Sequence, residues 1–203
     1  QQVLMLSHAN PNTPMQTHAW NGVAWQLLST AGPSNPHFGC ADEPARGRVV
    51  VHGGGFPNSS SGTWEWNGSQ WNLAQASGPL SRLDHALAFD PARGQVIAFG
   101  GNEGTGSLGT TTTRQDAWTW NGATWQRIAV AAPAARILTA VHHDHSRDRF
   151  VLHGGRVSGV DSIELWEFDG VRWEQRLFVG GPTAREGHAL ANAPGGGTLL
   201  FGG

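Results

Sequence analysis

The chain has 203 residues with 13 basic and 15 acidic side chains, and its formal net charge of −2 gives no general drive toward nucleic acid or an anionic membrane. No apolar run approaches the roughly 20 residues of a membrane-spanning helix, and the single cysteine, Cys40, rules out an intrachain disulfide. The 29 glycines keep no every-third-residue period and fall between short apolar runs, so the composition fits one turn-rich all-β domain over residues 1–203.

Taken in chain order, the elements repeat. Residues 1–28 hold an apolar run over 3–6, then His18-Ala19-Trp20, the turn pair Asn21-Gly22, and Trp25. Residues 35–75 hold Pro36-His37-Phe38-Gly39-Cys40, the run Val49-Val50-Val51, the pair Gly53-Gly54, and Trp64-Glu65-Trp66-Asn67-Gly68 leading to Trp71. In 82–128 the order is the same: Arg82-Leu83-Asp84-His85-Ala86, a turn over 90–94, the run Val96-Ile97-Ala98-Phe99, Gly100-Gly101, Trp118-Thr119-Trp120-Asn121-Gly122, and Trp125. Residues 136–178 start at Arg136 and carry Phe150-Val151-Leu152, Gly154-Gly155, Trp166-Glu167-Phe168-Asp169-Gly170 and Trp173. The last stretch, 185–203, has Arg185-Glu186-Gly187-His188-Ala189, an apolar run over 198–201, and Gly202-Gly203. The closing Trp recurs at spacings of 46, 54 and 48 residues.

Each repeat reads as four strands. The first runs from an Arg into small and apolar residues and ends in a turn such as Asp90-Pro91-Ala92-Arg93-Gly94, where Pro presets φ and Gly accepts a positive φ. The second is continuously apolar, as expected of a strand buried on both faces. Alternation in the third puts Trp64 with Trp66, and Trp118 with Trp120, on one face. Asn-Gly or Asp-Gly then predicts a two-residue type I′ hairpin into the fourth. Four strands per period of about 50 residues, with no helical segment, is the spacing of a β-propeller.

The Arg-x-x-His-Ala motif at 82–86 and 185–189, the apolar run closing in Gly-Gly, and the Trp three residues past the turn glycine resemble the kelch repeat of the galactose-oxidase-like propellers. The resemblance covers nearly the whole chain. It implies a propeller of four-stranded blades with the Arg strand innermost and the Trp strand outermost, in about four repeats of 46–54 residues. In the first full copy, the segment 36–40 reads as lacking the Arg and as one residue short, and in the third Thr139 stands where the others have His85 and His188. Ring closure stays open: the partial blade 1–28 and the strand pair 185–203 can complete one another in a four-bladed ring, or a second copy or a longer ring can complete them.

The ten Trp residues all fall at three repeat positions, so they are read as blade-to-blade packing rather than as a sugar-binding surface. The glycine pairs follow a strand and precede no helix, which is not the arrangement of a phosphate loop. Among the ten His residues the densest cluster is His142, His143 and His145 with Asp144. Strand alternation turns at most two of these one way, short of the three or four ligands of a zinc site, so neither a metal nor a cofactor is expected. His52 and His153, at positions held elsewhere by Phe99 and Phe201, are expected as packed residues.

Chemistries hosted by similar propellers can be tested by absence. There is no Tyr, which removes the tyrosine–cysteine radical cofactor of galactose oxidase and the sialidase nucleophile. The Ser-x-Asp-x-Gly-x-Thr-Trp box, a Glu-x-x-x-Asp-x-x-x-His iron run and a Gly-x-Ser-x-Gly elbow are also missing. No enzyme activity is expected, although a carboxylate pair from separate blades, such as Asp84 with Glu186, would suit glycoside chemistry.

Binding remains. The loops over 55–62, 102–115 and 156–162 open on the face where Arg82, Arg136 and Arg185 enter the inner strands. Arg82, Asp84, His85, Arg136, Arg185, Glu186 and His188 are therefore the candidate ligand-binding residues. The three arginines have two readings, a positive ring at a channel mouth or scaffold donors to backbone carbonyls. The expected function is a non-catalytic binding or interaction module that offers its loop-rich face to a protein or glycan partner. Alternatives are a secreted carbohydrate-active or carbohydrate-binding propeller, and an assembly protein completed as a homo-oligomer. A bacterial, secreted or cell-surface setting follows by analogy with Trp-Asn-Gly-rich kelch repeats.

Overall fold

Short apolar runs broken every few residues by Gly-containing turns cannot sustain a helical stripe. In the computed structural model, which describes residues 3–10, 12–34, 36–55, 60–103 and 112–203, the chain accordingly forms strands in small antiparallel sheets. Sheet 1 has the order β1 (Val3–Ser7), β2 (Gln16–Trp20), β3 (Trp25–Ser29). Sheet 2 is β4 (Gly39–Glu43), β5 (Arg48–His52), β6 (Thr63–Trp66), β7 (Trp71–Gln75). The next stretch runs β8 (Arg82–Leu83), β9 (Ala86–Asp90), β10 (Gln95–Phe99), β11 (Asn102–Glu103), β12 (Ala117–Trp120), β13 (Trp125–Arg127). Sheet 3 takes β9, β10, β12 and β13 in that order, while β8 and β11 pair as a separate ribbon.

The fourth stretch runs β14 (Ala140–Asp144), β15 (Arg149–His153), β16 (Arg156–Val157), β17 (Val160–Asp161), β18 (Leu165–Phe168), β19 (Trp173–Arg176). Sheet 4 is β14-β15-β18-β19, and β16 pairs with β17 in a small hairpin outside it. A last hairpin joins β20 (Ala189–Asn192) to β21 (Thr198–Phe201). The first strands β4, β9, β14 and β20 lie beside one another in chain order.

Local chemistry repeats with the strands. Asn21, Asn67, Asn121 and Asp169 each accept, at Oδ1, the backbone N–H groups two and three residues on. Only the following glycine takes a positive φ, from +92° to +99°, where type I′ would require two such residues. The hairpin is therefore centred one residue later than the sequence predicted, with Gly at the first central position as in type II′, and the Asx side chain caps it. A second correction concerns the segment before β4. His37, Asp84 and Leu138 all have φ near +55°, and Gly187 has +65°. His37 thus occupies the register of the other three, and the segment is substituted rather than one residue short. Asn35, in the register of Arg82, lies outside the described residues.

Between sheets runs one repeated hydrogen-bond relay. The second glycine of each pair donates its N–H to the carbonyl of the next Arg: Gly54 to Arg82 at 3.0 Å, Gly101 to Arg136 at 2.9 Å, Gly155 to Arg185 at 2.9 Å. Each Arg in turn donates Nη1–H to the first glycine of its own repeat: Arg82 to Gly100, Arg136 to Gly154, Arg185 to Gly202. Both glycines of every pair have positive φ. A Cβ on Gly100 would lie 2.6 Å from the Arg136 carbonyl oxygen, so glycine is needed there for space as well as conformation.

Aromatic rows fill the rest of each interface. Trp66 and Trp71 pack on the sheet 1 side with Met15 and Leu4, Trp120 and Trp125 on the sheet 2 side with Val50, and Phe168 and Trp173 on the sheet 3 side with Ile97 and Phe99. Trp71 donates Nε1–H to Thr17 at 2.8 Å and Trp125 to Thr63 at 2.7 Å. Trp173 meets Ala117 at the equivalent place, and its Nε1 has no partner among the described residues. Replacing Gly100 by Ala is expected to lower the unfolding free energy by about 2–4 kcal/mol. Gly94→Ala, at φ +61° with nothing within 4 Å of the added Cβ, should cost only about 1 kcal/mol. Urea denaturation of the two variants checks the difference.

Candidate functional site

The seven residues selected from sequence lie at the Gly-Gly end of the first strands, in three groups. Arg82 and Arg136 are 1% and 0% exposed and have no free face. Arg82 holds the carbonyls of Leu80 and Gly100 and both oxygens of Asp116; Arg136 holds those of Ala134 and Gly154, with Glu164 at 2.5 Å. Asp116 and Glu164 also accept the indole N–H of Trp118 and Trp166, so each carboxylate fixes an Arg and a Trp together. These two arginines act in the scaffold. Arg185 is half-buried and bonds Thr183 and Gly202. The Arg-to-glycine separation, 18 residues for Arg82 and Arg136 and 17 for Arg185, is the signal in the sequence for this role.

Asp84 and Glu186 form the second group, at the solvent edge. Asp84 pairs with His37 at 3.3 Å, and Glu186 with Arg156 at 3.2 Å, while Arg156 also reaches Asp161 at 3.3 Å. The backbone carbonyl of Asp84 accepts from Leu138, and that of Leu138 from Gly187, so the left-handed residues are tied to one another ahead of the first strands. The structure does not pair Asp84 with Glu186; each has a different basic partner.

The third group is histidine. His85 meets His52 edge-on with ring centres 5.7 Å apart, and His188 Nε2 lies 3.1 Å from His153 Nδ1, one ring donating to the other. Burial, followed by the positive charge of Arg82, pushes His52 down to about 3. Burial, followed by His188, Arg185 and Arg136, lowers His153 to about 4. His142, His143 and Asp144 are all buried at the far, turn-rich end, and His143 and His145 share a face with rings 5.2 Å apart.

Among the described residues one set of metal-ligand types converges, there: Asp90, His143 and Asp148. His143 Nε2 is 2.9 Å from Asp148 and 3.5 Å from Asp90. Arg93 already supplies the cation, 2.9 Å from Asp90 and 3.4 Å from Asp148. Asp90 Oδ1 further accepts the N–H groups of Ala92 and Arg93. The group is a clasp between the turns of sheets 3 and 4, with Arg93 and His143 each reaching both carboxylates.

One cavity beside sheet 4 was not anticipated from the sequence. About 540 Å³ lies between sheet 4 and the last hairpin, lined by Val151, His153, Leu165 and Glu167 on one side and Leu190, Thr198 and Leu200 on the other. Phe178 and Pro182 close one end. Burial alone would raise the Glu167 carboxyl, but hydrogen bonds from Arg147 and Arg176 outweigh it and hold it below the usual range. The register of the Trp rows carries the signal for this cleft: Val151, His153, Leu165 and Glu167 correspond to Val50, His52, Thr63 and Glu65, the surface on which Trp120 and Trp125 rest.

No protein-family model and no curated protein matches this sequence.

The buried histidines set a pH dependence. A folded-state value below the ordinary 6.5 means that the unfolded chain takes up protons first, so stability is fully present above about pH 6.5 and falls as the pH drops toward 4. Each histidine contributes up to about 1.4 kcal/mol per pH unit. His52→Phe, copying Phe99, should flatten the urea midpoint between pH 6.5 and 5, and an unchanged slope would remove His52 as its source.

Proposed function

We propose that the chain is a kelch-like β-propeller module that works by non-catalytic binding and offers its Gly-Gly end to a protein or glycan partner. Three four-stranded sheets of one strand order, with their first strands side by side and bound by the Gly–Arg relay, support the propeller reading.

The division of charge at that end carries the binding reading. Arg82 and Arg136 spend their donors inside the molecule. A second tier lies at the edge, with Arg156, Asp161 and His37 partly in solvent and each paired to a neighbour: Arg156 with Asp161 on the β16–β17 hairpin and with half-buried Glu186 beside it, and His37 with half-buried Asp84. Polar groups held outward by a rigid scaffold lose little conformational freedom when a partner arrives. The hairpin also raises Val160, 70% exposed, as an apolar contact. Most of the 102–115 loop and part of 55–62, named from sequence for the same face, lie outside the described residues.

The test is ligand-observed NMR against a panel of neutral and acidic oligosaccharides, with hydrogen-exchange mapping of any bound protein. Protection over 156–161 is expected, reduced about tenfold or more in affinity by Arg156→Ala with Glu186→Ala, while the melting temperature stays within a few degrees. Binding mapped to the turn-rich end, or hydrolysis of an oligosaccharide, would sink the reading.

A further inference from the structure

At the turn-rich end, three side chains of metal-ligating type depart from the repeat at one seam. The turns after the first strands align as Glu43-Pro44-Ala45-Arg46-Gly47, Asp90-Pro91-Ala92-Arg93-Gly94 and Asp144-His145-Ser146-Arg147-Asp148. Asp148 stands where the other two have Gly, and it keeps their left-handed backbone, at φ +48° against +61° for both glycines. Few side chains adopt that conformation, and Asp is one that tolerates it. His145 stands where the others have Pro, and His143 where they have Asp42 and Phe89. These departures converge. His143 Nε2 is 2.9 Å from Oδ1 of Asp148 and 3.5 Å from Oδ1 of Asp90 at the end of β9, and the ring of His145 is 5.2 Å from that of His143.

We infer that Asp90, His143 and Asp148 form a site for a divalent transition ion of the zinc type, with His145 in reach as a fourth ligand. One donor atom from each of the three lies within 4.8 Å of the others. Zinc bonds ring nitrogen and carboxylate oxygen at about 2.0–2.2 Å, which spaces tetrahedral donors about 3.4 Å apart. The two separations from His143 lie on either side of that spacing. A ring nitrogen among the donors selects against calcium and magnesium, which take oxygen. Strand alternation alone counts two histidines on one face; the carboxylates that complete the set come from sheet 3 and from the turn that follows.

The ligands are held in place before an ion arrives. Asp90 and His143 are buried. Asn192 of the last hairpin donates Nδ2–H to the His143 carbonyl and accepts the His145 N–H at Oδ1, which fixes the backbone of both histidines. The His145 ring makes no hydrogen bond to a described residue, and with His143 and Asp148 it lines an open cavity of about 470 Å³ through which an ion can enter. Arg93 does not fill the site. Its guanidinium is anchored on Oδ2 of Asp90 at 2.9 Å and on the Asp169 carbonyl at 2.5 Å, and it reaches Asp148 only at 3.4 Å. The ion takes the place of the hydrogen between His143 and Asp148, and the ring proton then sits on Nδ1. The site lies at the opposite end from the Gly-Gly pairs, so it is independent of any binding there.

Calorimetric titration of the full chain with zinc near neutral pH, after treatment with a chelator, is the test. One equivalent is expected to bind with a dissociation constant of roughly 1–10 µM and to raise the melting temperature by several degrees, while calcium and magnesium do neither. The NMR ring signals of His143 and His145 should shift with the first equivalent, and that of His37 should not. Asp148→Asn, which keeps a residue tolerant of positive φ, should weaken binding at least about thirtyfold, and its zinc-free melting temperature tells loss of a ligand from loss of the fold. His145→Ala should weaken binding about tenfold; indifference to that variant alone keeps the three-ligand site with water in the fourth place. No uptake below about 1 mM zinc, uptake unaltered by Asp148→Asn, or ring shifts confined to His37 overturns the inference.

Discussion

The arrangement of sheets depends on one interaction, the hydrogen bond from a left-handed glycine to the carbonyl of an arginine in the next repeat. A backbone N–H at the end of a buried strand must find an acceptor or pay for its desolvation. Positive φ turns the Gly54, Gly101 and Gly155 amides out of their own ladders and onto Arg82, Arg136 and Arg185. The guanidinium then satisfies the glycine carbonyl that the same turn exposes. A lysine has one compact ammonium and cannot serve two carbonyls and a carboxylate in a plane, as Arg136 does with Ala134, Gly154 and Glu164.

With spacing fixed at one end, the aromatic rows have only to fill the gap between sheets. They do so with a polar anchor where the neighbour allows it, Thr17 for Trp71, Thr63 for Trp125 and Glu65 for Trp120. Glu65 faces the interface between sheets 2 and 3 and Glu167 the cleft between sheet 4 and the last hairpin, and each is paired from the turn of its own sheet, by Arg46 and by Arg147. One carboxylate in this setting is covered by an indole and the other lines a cavity.

Much of this could be read in the sequence because period and burial speak directly. Three apolar runs became the buried second strands β5, β10 and β15, whereas those over 3–6 and 198–201 form strands with one face exposed, and the Trp-x-Trp segments became third strands with both rings in one cluster. Turn chemistry was less legible: Asn-Gly suggests type I′, but the Asn side chain caps the turn and shifts it by one residue. A left-handed histidine also hid the register before β4, since His37 resembles neither Asp84 nor Gly187. At the site, sequence identified Arg82 and Arg136 as functional but left scaffold and ligand roles equal; their partners are distant in sequence, and only the fold shows them spent. The ribbons β8–β11 and β16–β17 have two residues per strand, too short for any periodic signal.

The unpartnered indole N–H of Trp173 bears on cooperativity. Every link described joins neighbouring sheets only, so stability spreads as it does along a stack of repeats, one interface at a time. The seam between sheets 3 and 4 packs well but lacks the Thr anchor of the two seams before it. Where that seam opens, parting residues up to about 128 from the remainder, the clasp of Arg93 and His143 on Asp90 and Asp148 has to open with it. A chain that breathes there opens between sheets, keeping every ladder intact, and exposes side chains rather than unpaired strand edges.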